Sequence, residues 1–471
     1  MRIPTLEKLK NDKVLEDIKK YSKNKEVYVV GGVIRDLYTG KENFDKDLIV
    51  CGVEAKDYAQ NLAENLDVTF IPLDEENKIY RLVLKDKKNF IDITNPINNS
   101  LEEDLKRRDF TINSIAMNIE TFEVLDLNNG IKDLKNKKIK MIDEKNFIED
   151  PLRLLRAYRF QAVTGFEIDS KTEHTIKKHI KLINNPAKER INYELMKLFE
   201  GAYTVKALLN MDKSEILYEI LPIFLDVRKV PPNTHHHLDL LHHSIETVNQ
   251  IQNFYNIAKP EVKEHLEKVD FGGFTRLAHL KLAGFMHDIG KYSCWTIEED
   301  TGRHRFIKHE DVGGKMASPI LKKLKFSKKQ IEYICKMIKY HIYPSHVIAT
   351  EVLTDKVKMR YVRKMEDDVI DNIFLAMSDR LSARGKAITD EIVHNNISGL
   401  TNLMKFYLEV KDNLEPLPKL LSGEEVMEIL NITPSKELGE VIKALQEEQF
   451  NGEITTKEDA IEFVKNYKID K

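Results

Sequence analysis

Little in this chain would staple it or anchor it. Three of its 471 residues are cysteine, namely Cys51, Cys294 and Cys335, and they lie far apart. No C-x-x-C pair exists, so a zinc ribbon and a dithiol redox motif are both unavailable. Three reduced thiols within the fold are the expectation. No apolar run approaches the roughly 18 residues of a membrane span. The opening stretch MRIPTLEKLKNDK lacks the apolar centre of a secretory signal. Both absences point to a cytoplasmic protein without a membrane partner. An excess of positive charge is missing too. There are 74 Lys and Arg against 77 Asp and Glu, a net charge of −3. A polyanion must therefore be met by a local patch. The lysine cluster Lys132–Lys140 is one such patch, although a solvated surface explains it equally simply. Internal repeats and low-complexity segments are absent.

What is present divides along the chain. Hydrophobic residues are 42% and charged residues 32%, a soluble composition, and the length calls for three or four domains. Over residues 1–125, EVYVV, KDLIV, DVTFI, YRLVLK and NFIDIT read as strands, because they are short, β-branched and bounded by polar turns. AKDYAQNLAENL reads as an amphipathic helix between them. From about Glu149 strand patterns nearly vanish. DPLRLLRAYRFQAVTG has helical spacing, with Pro151 in its first turn and Gly165 as its stop. KVPPNTHHHLD marks a boundary near Pro231–Pro232, and LEPLPKLLSG marks another at 414–423.

The stretch VVGGVIRDLYTGKENFDKDLIV carries the first chemistry. Gly31 and Gly32 stand between a strand and a helix, where bare backbone can approach a ligand and amide donors can face a phosphate. Asp45 and Asp47 follow on a strand, where residues i and i+2 share a face. Two carboxylates there repel each other unless a cation lies between them. Hard ions such as Mg²⁺ suit such oxygens and leave positions open for triphosphate. Asp92 interrupts the apolar run NFIDIT, so it is either buried with a partner or turned to the same site. Arg107, Arg108 and Asp109 precede FTINSIAMN, and adjacent guanidiniums suit phosphate.

GGVIRD, DKD, RRDFTINSIA and EDPLRLLRAYRF, in this order, resemble the class II nucleotidyltransferases, the bacterial-type tRNA CCA-adding enzymes and related poly(A) polymerases. The resemblance implies an α+β protein. Its polymerase-β-like head would span 1–125, a helical neck and body 126–230, and further helical parts the rest of the chain. It implies template-free addition of C and A, from CTP and ATP, to tRNA 3′ ends. Asp45, Asp47 and Asp92 would be the catalytic acids, with Asp45 and Asp47 holding Mg²⁺. Gly31, Gly32, Arg35, Arg108, Asp109, Asp150, Arg153, Arg156 and Arg159 would bind the nucleotide. Asp150 and Arg153 also make physical sense as a base reader. An acceptor and a donor three residues apart on one helix face match the exocyclic amine and bare ring nitrogen of cytosine or adenine. Uracil and guanine present the reverse pattern. Only NPINNSLEEDLK separates Thr94 from Arg107, whereas full CCA-adding members carry a longer loop there that helps switch from C to A. CC-only addition, A-only addition and poly(A) synthesis therefore stay open.

A second chemistry lies downstream. LLHHSIETV supplies His243, LAGFMHDIGKY supplies His287 and Asp288, FIKHEDVGGKMA supplies His309, IKYHIYP supplies His341, and LAMSDRLSARG supplies Asp379. Imidazoles and carboxylates converging from separate helices suit a divalent transition ion, Ni²⁺, Mn²⁺ or Co²⁺. The set resembles the metal-dependent HD phosphohydrolase domain, expected over 231–400. His243, His287, Asp288 and Asp379 match its core, and His309 and His341 match the extra ligands of two-metal members. An RNA-binding phosphohydrolase is the rival reading of the whole chain. His235–His237 read as loop residues only. The segment 401–471 resembles the tail that meets tRNA in this family.

Overall fold

Short β-branched runs assemble into one mixed sheet. In the computed structural model, which describes residues 12–38, 40, 45–86, 89–414 and 418–467, its strands are β1 (Glu26–Val30), β2 (Asp45–Cys51), β3 (Thr69–Asp74), β4 (Ile79–Val83), β5 (Phe90–Thr94), β6 (Ala116–Asn118) and β7 (Val124–Leu125). Their spatial order is β3-β4-β5-β2-β1-β6-β7. All neighbours are antiparallel except β2 and β5, whose parallel pairing sets Asp47 beside Asp92. A parallel return needs a crossover, here the helix Ala55–Leu66 and the β3–β4 hairpin. That helix buries Ala55, Tyr58, Ala59, Leu62 and Ala63, the i, i+3, i+4 stripe of an amphipathic helix. Along β2 burial alternates: Asp45 and Asp47 face outward while Lys46 is buried. Lys46 Nζ lies 3.2 Å from Asp12 Oδ2.

Helix α1 (Leu152–Thr164) buries one whole side and ends at Gly165, whose φ of +74° suits glycine. A Cβ there would lie 2.9 Å from the Tyr203 ring. Helix α1 packs on α2 (Lys188–Glu200). Asp150 departs from expectation. It is extended, with φ −132° and ψ 90°, and does not share a helix face with Arg153. The residue before a proline is pushed out of the helical region, and Pro151 follows it.

The chain divides into two compact units, Met1–Pro222 and Ile223–Lys471. Phe224 stacks on Phe285 at 4.2 Å within the second unit. The second unit is helical, built around α3 (Leu240–Ile257), α4 (Arg276–Met286), α5 (His309–Lys323), α6 (Lys328–Tyr340) and α7 (Val369–Ser382). Two short hairpins, Val269–Phe271 with Phe274–Thr275 and Trp295–Ile297 with His304–Phe306, are strands that the pattern did not announce. The last three helices share a core of their own, with Val426, Val441, Leu445, Ala460 and Val464 buried. The boundary expected at 414–423 and the opening MRIPTLEKLKNDK fall partly outside the described residues. Among those described, no helix is long and apolar enough to cross a membrane.

Candidate functional site

A cleft of ≈ 880 Å³ in the first unit gathers the residues expected to be its catalytic acids and nucleotide ligands. Gly31, Gly32, Arg35, Asp45, Asp47, Asp92, Arg108, Asp109, Asp150, Arg153, Arg156 and Arg159 all line it. Gly31 has φ +75°, and a Cβ there would stand 3.0 Å from Asp47 Oδ2 and 3.1 Å from Arg108 Nη1. Both the backbone angle and the close approach require glycine.

The three acids behave unequally. Burial raises the Asp45 carboxyl; Arg81 pulls it back, and Asp92 pushes it up again. Burial also raises Asp47, opposed by Arg108 and reinforced by Asp92 and Asp45. Mutual repulsion on an open face is the electrostatic demand that a hard cation satisfies. Asp92 is engaged differently. Arg81 Nε and Nη2 bind its two oxygens, each at 2.7 Å. Among the described residues, the groups drawn to a common ion's distance lie elsewhere.

The cation side of the cleft is built on an aromatic hub. Arg35, Arg156 and Arg159 stand 4.8, 5.3 and 3.9 Å from the Phe160 ring centre. Arg156 Nε donates to Asp109 Oδ2 at 2.8 Å, and Nη1 donates to Glu194 Oε1 at 3.0 Å. Asp109 Oδ1 accepts from Phe110 N and Asn113 Nδ2. Burial would raise the Asp109 carboxyl, but Arg156 and these donors hold it down at about 2. Burial, opposed by Glu194 and aided by Arg156 and Arg35, lowers Arg159 to about 10. Arg153 Nη1 donates to the carbonyls of Arg107 and Asn146 at 2.8 and 3.0 Å. Its Nε is 3.9 Å from Asp150 Oδ2, which accepts from Arg190 at 3.0 Å. Asp150 caps no helix with its side chain; the helix-cap position belongs to Pro151. Arg107 turns away to Glu149 and does not line the cleft.

Arg81, Asn113, Tyr193, Glu194 and Lys197 were not foreseen. Tyr193 and Lys197 stand four apart on α2 and line the cleft, a spacing readable in INYELMKLFE. Arg81 gave no signal, because only the β4–β5 register sets it beside Asp92. The lysines of the Lys132–Lys140 cluster are exposed.

In the second unit all six predicted residues converge. Ligand atoms of His243, His287, Asp288 and Asp379 lie within 4.8 Å of one another, as do those of Asp288, His309 and His341. Asp288 faces both groups. Its Oδ2 is 3.3 Å from His243 Nε2 and 3.2 Å from His287 Nε2. Its Oδ1 is 3.3 Å from His309 Nε2 and 3.6 Å from His341 Nε2. His243 Nε2, His287 Nε2, both Asp288 oxygens and Asp379 Oδ1 are buried without a hydrogen-bond partner, although Lys291 Nζ lies 2.6 Å from Asp288 Oδ2. Burial lowers the His287 imidazole, yet Asp288 and Asp379 outweigh it and raise the ring to about 10. Burial lowers His341 to about 3.

Backbone carbonyls fix the tautomers. His287, His309 and His341 each donate Nδ1–H, to Gly284, Phe306 and Ile338, at 2.7, 2.8 and 2.7 Å. Their Nε2 atoms therefore point inward. His309 and His341 set those nitrogens 3.3 Å apart, an approach that a shared cation relieves. Buried, unpartnered, inward-facing nitrogen and oxygen donors fit a divalent first-row ion. His236, read as a plain loop residue, packs its ring 4.4 Å from that of His243.

Comparison with known proteins follows the same division. Residues 27–140 match the poly A polymerase head domain, 165–227 the probable RNA and SrmB-binding site of polymerase A, and 240–384 the HD domain. An A-adding tRNA nucleotidyltransferase of Deinococcus radiodurans is 28% identical over 93% of this chain and 95% of its own. A CC-adding tRNA nucleotidyltransferase of Thermus thermophilus is also 28% identical, over 93% of each chain. In fold, the chain is similar to the Thermotoga maritima CCA-adding enzyme solved with a tRNA. The TM-score is 0.56 at 22% identity, covering 98% of this chain and 97% of that one.

Proposed function

Because this chain belongs to the family of tRNA nucleotidyltransferases and poly(A) polymerases and carries an HD domain, we propose that it adds C and A, from CTP and ATP, to tRNA 3′ ends. The carrying observation is one cleft that joins an Asp-x-Asp pair, a glycine cradle, four arginines and the Asp150/Arg153 pair. The 3′ hydroxyl oxygen attacks the α-phosphorus in line and gives up its proton to water; the bond to the departing oxygen breaks, and pyrophosphate leaves. Mg²⁺ bound by Asp45 and Asp47 would supply charge neutralisation to the triphosphate. Gly31 lets backbone and phosphate approach closely, and Arg108 stands beside it. Asp109 and Glu194 hold Arg156 and Arg159 against Phe160, so the guanidiniums are oriented before a nucleotide arrives. Asp109 acts through Arg156, since its oxygens are already engaged. Asp150 and Arg153 read the base edge. Asp92, bound by Arg81, completes the acidic face. The segments 1–125, 126–230, 231–400 and 401–471 serve as head, neck and body, HD domain and tRNA-binding tail.

A second reading, CC-only addition, is favoured by one observation. The segment between Thr94 and Arg107 is short and folded, closing with the helix Leu101–Lys106, and so offers little chain for a C-to-A switch. Incubation of purified protein with tRNA lacking its CCA end and each labelled nucleotide decides between them. CTP and ATP incorporation, with UTP and GTP refused, supports the first reading. Products that stop at CC select the second, and incorporation of all four nucleotides removes both. For the HD domain we infer a phosphohydrolase acting on phosphate esters, with Ni²⁺, Mn²⁺ or Co²⁺ held by His243, His287, Asp288 and Asp379, and a second ion by Asp288, His309 and His341.

A further inference from the structure

Three of the inward-facing imidazoles have a carbonyl that fixes their tautomer, and His243 does not. Its Nδ1 is buried and unpartnered, and so is Nδ1 of His236. Both residues line one small pocket of ≈ 10 Å³, about the volume that a single water centre occupies. The tautomer of His236 is set from its other side. Lys291 Nζ donates to His236 Nε2 at 3.2 Å, so that nitrogen is the acceptor. The proton of His236 therefore sits on Nδ1. The loop is also fixed in place. Asn233 Oδ1 accepts from the amides of His235 and His236. Gly385 N and Ala387 N donate to the carbonyls of His235 and Thr234, each at 2.8 Å.

We propose that His236 is a positioning residue of the HD centre, acting on His243 through one buried water. The water oxygen accepts Nδ1–H from His236 and Nδ1–H from His243. That holds the His243 proton on Nδ1 and leaves its Nε2 lone pair for the ion, the state that the other three imidazoles reach through carbonyls. Lys291 closes the circuit, since the same ammonium stands 2.6 Å from Asp288 Oδ2. The inference rests on the reading of this centre as metal-holding.

The test is a Co²⁺ titration of the full-length protein with Mg²⁺ in excess, followed by visible absorption. His236→Asn places an amide N–H where Nδ1–H stood, whereas His236→Gln keeps an acceptor near Nε2 and loses the Nδ1 donor. His236→Ala and His236→Gln are expected to weaken Co²⁺ binding by on the order of 10- to 100-fold, the usual effect of losing a ligand's hydrogen-bond partner, with His236→Asn much nearer wild type. Thermal melts of the apo variants check that the unit is folded. Equal affinity in all three variants, or wild-type affinity in His236→Gln, overturns the proposal. Absence from the wild type of a Co²⁺ spectrum that His287→Ala removes would dispose of the centre itself, and of the proposal with it.

Discussion

Asp45 and Asp47 face outward from a strand whose intervening lysine is buried, so removing one acid need not disturb the sheet. Asp45→Ala is expected to keep its circular-dichroism spectrum and lose nucleotide addition by roughly two decades, the scale of a lost metal partner. Activity above a few per cent of wild type would contradict the assignment. Arg153 should behave differently. It is held by the carbonyls of Arg107 and Asn146, whereas the Arg108 side chain reaches Asp104 and the Asn113 carbonyl. Arg153→Ala should therefore relax base choice, and UTP or GTP incorporation relative to CTP should rise in single-nucleotide assays. Asp109 adds a dependence on acidity. Its carboxyl is held at about 2, below its usual 3.8, which corresponds to about 2 kcal/mol of stability. A depressed carboxyl contributes fully above its unfolded value and loses that contribution as pH falls through its folded one. The destabilisation by Asp109→Asn should thus be full at neutral pH and shrink between about pH 4 and pH 2, as melting temperatures would reveal.

At the scale of elements, the close crossing of Gly290 with α5 sets where His309 stands in the proposed second metal group. A Cβ on Gly290 would meet the His309 carbonyl at 2.1 Å and Gly313 N at 2.6 Å, so Gly290→Ala must push the start of α5 away from Asp288. The expected result, read by elemental analysis of the Ni²⁺-loaded protein, is loss of about one equivalent of metal, with the His243 group still loaded. Two retained equivalents would show that α5 tolerates the shift. Much of this architecture was legible beforehand. The strands of the sheet are β-branched and bounded by turns, and all six HD residues sit in short motifs that fix their neighbours. Three things were not. The extended Asp150 was readable only from the proline after it, against the pull of a helical pattern. Arg81 depends on strand register, which no local pattern carries. His236 lies in a polar loop held by Gly385 and Ala387, which follow the end of α7.

For the whole molecule, the two proposed chemistries fall in different compact units with different candidate ligands, oxygen donors in one and mostly imidazoles in the other. Assays of Asp45→Ala and His287→Ala, each with Mg²⁺ and with Ni²⁺, should separate them. Asp45→Ala should lose nucleotide addition alone. His287→Ala should lose phosphatase or cyclic-phosphodiesterase activity alone. Parallel loss of both in both variants would mean a single shared site. Such a separation would have a use, because an RNA ending in a phosphate or cyclic phosphate offers no free 3′ hydroxyl for nucleotide addition.

The parallel pairing of β2 with β5 also sets a timetable. Asp45 and Asp47 are neighbours from the moment they leave the ribosome. Asp92 joins them only after a helix and a hairpin have been made and the chain has returned. Loops of that length close slowly compared with helices, which form from local contacts. The second unit makes a longer return still, because α3 packs against α7 and so brings His243 to Asp379. Any nascent chain released early would carry its acid pair without the arginine-bound partner that completes the face.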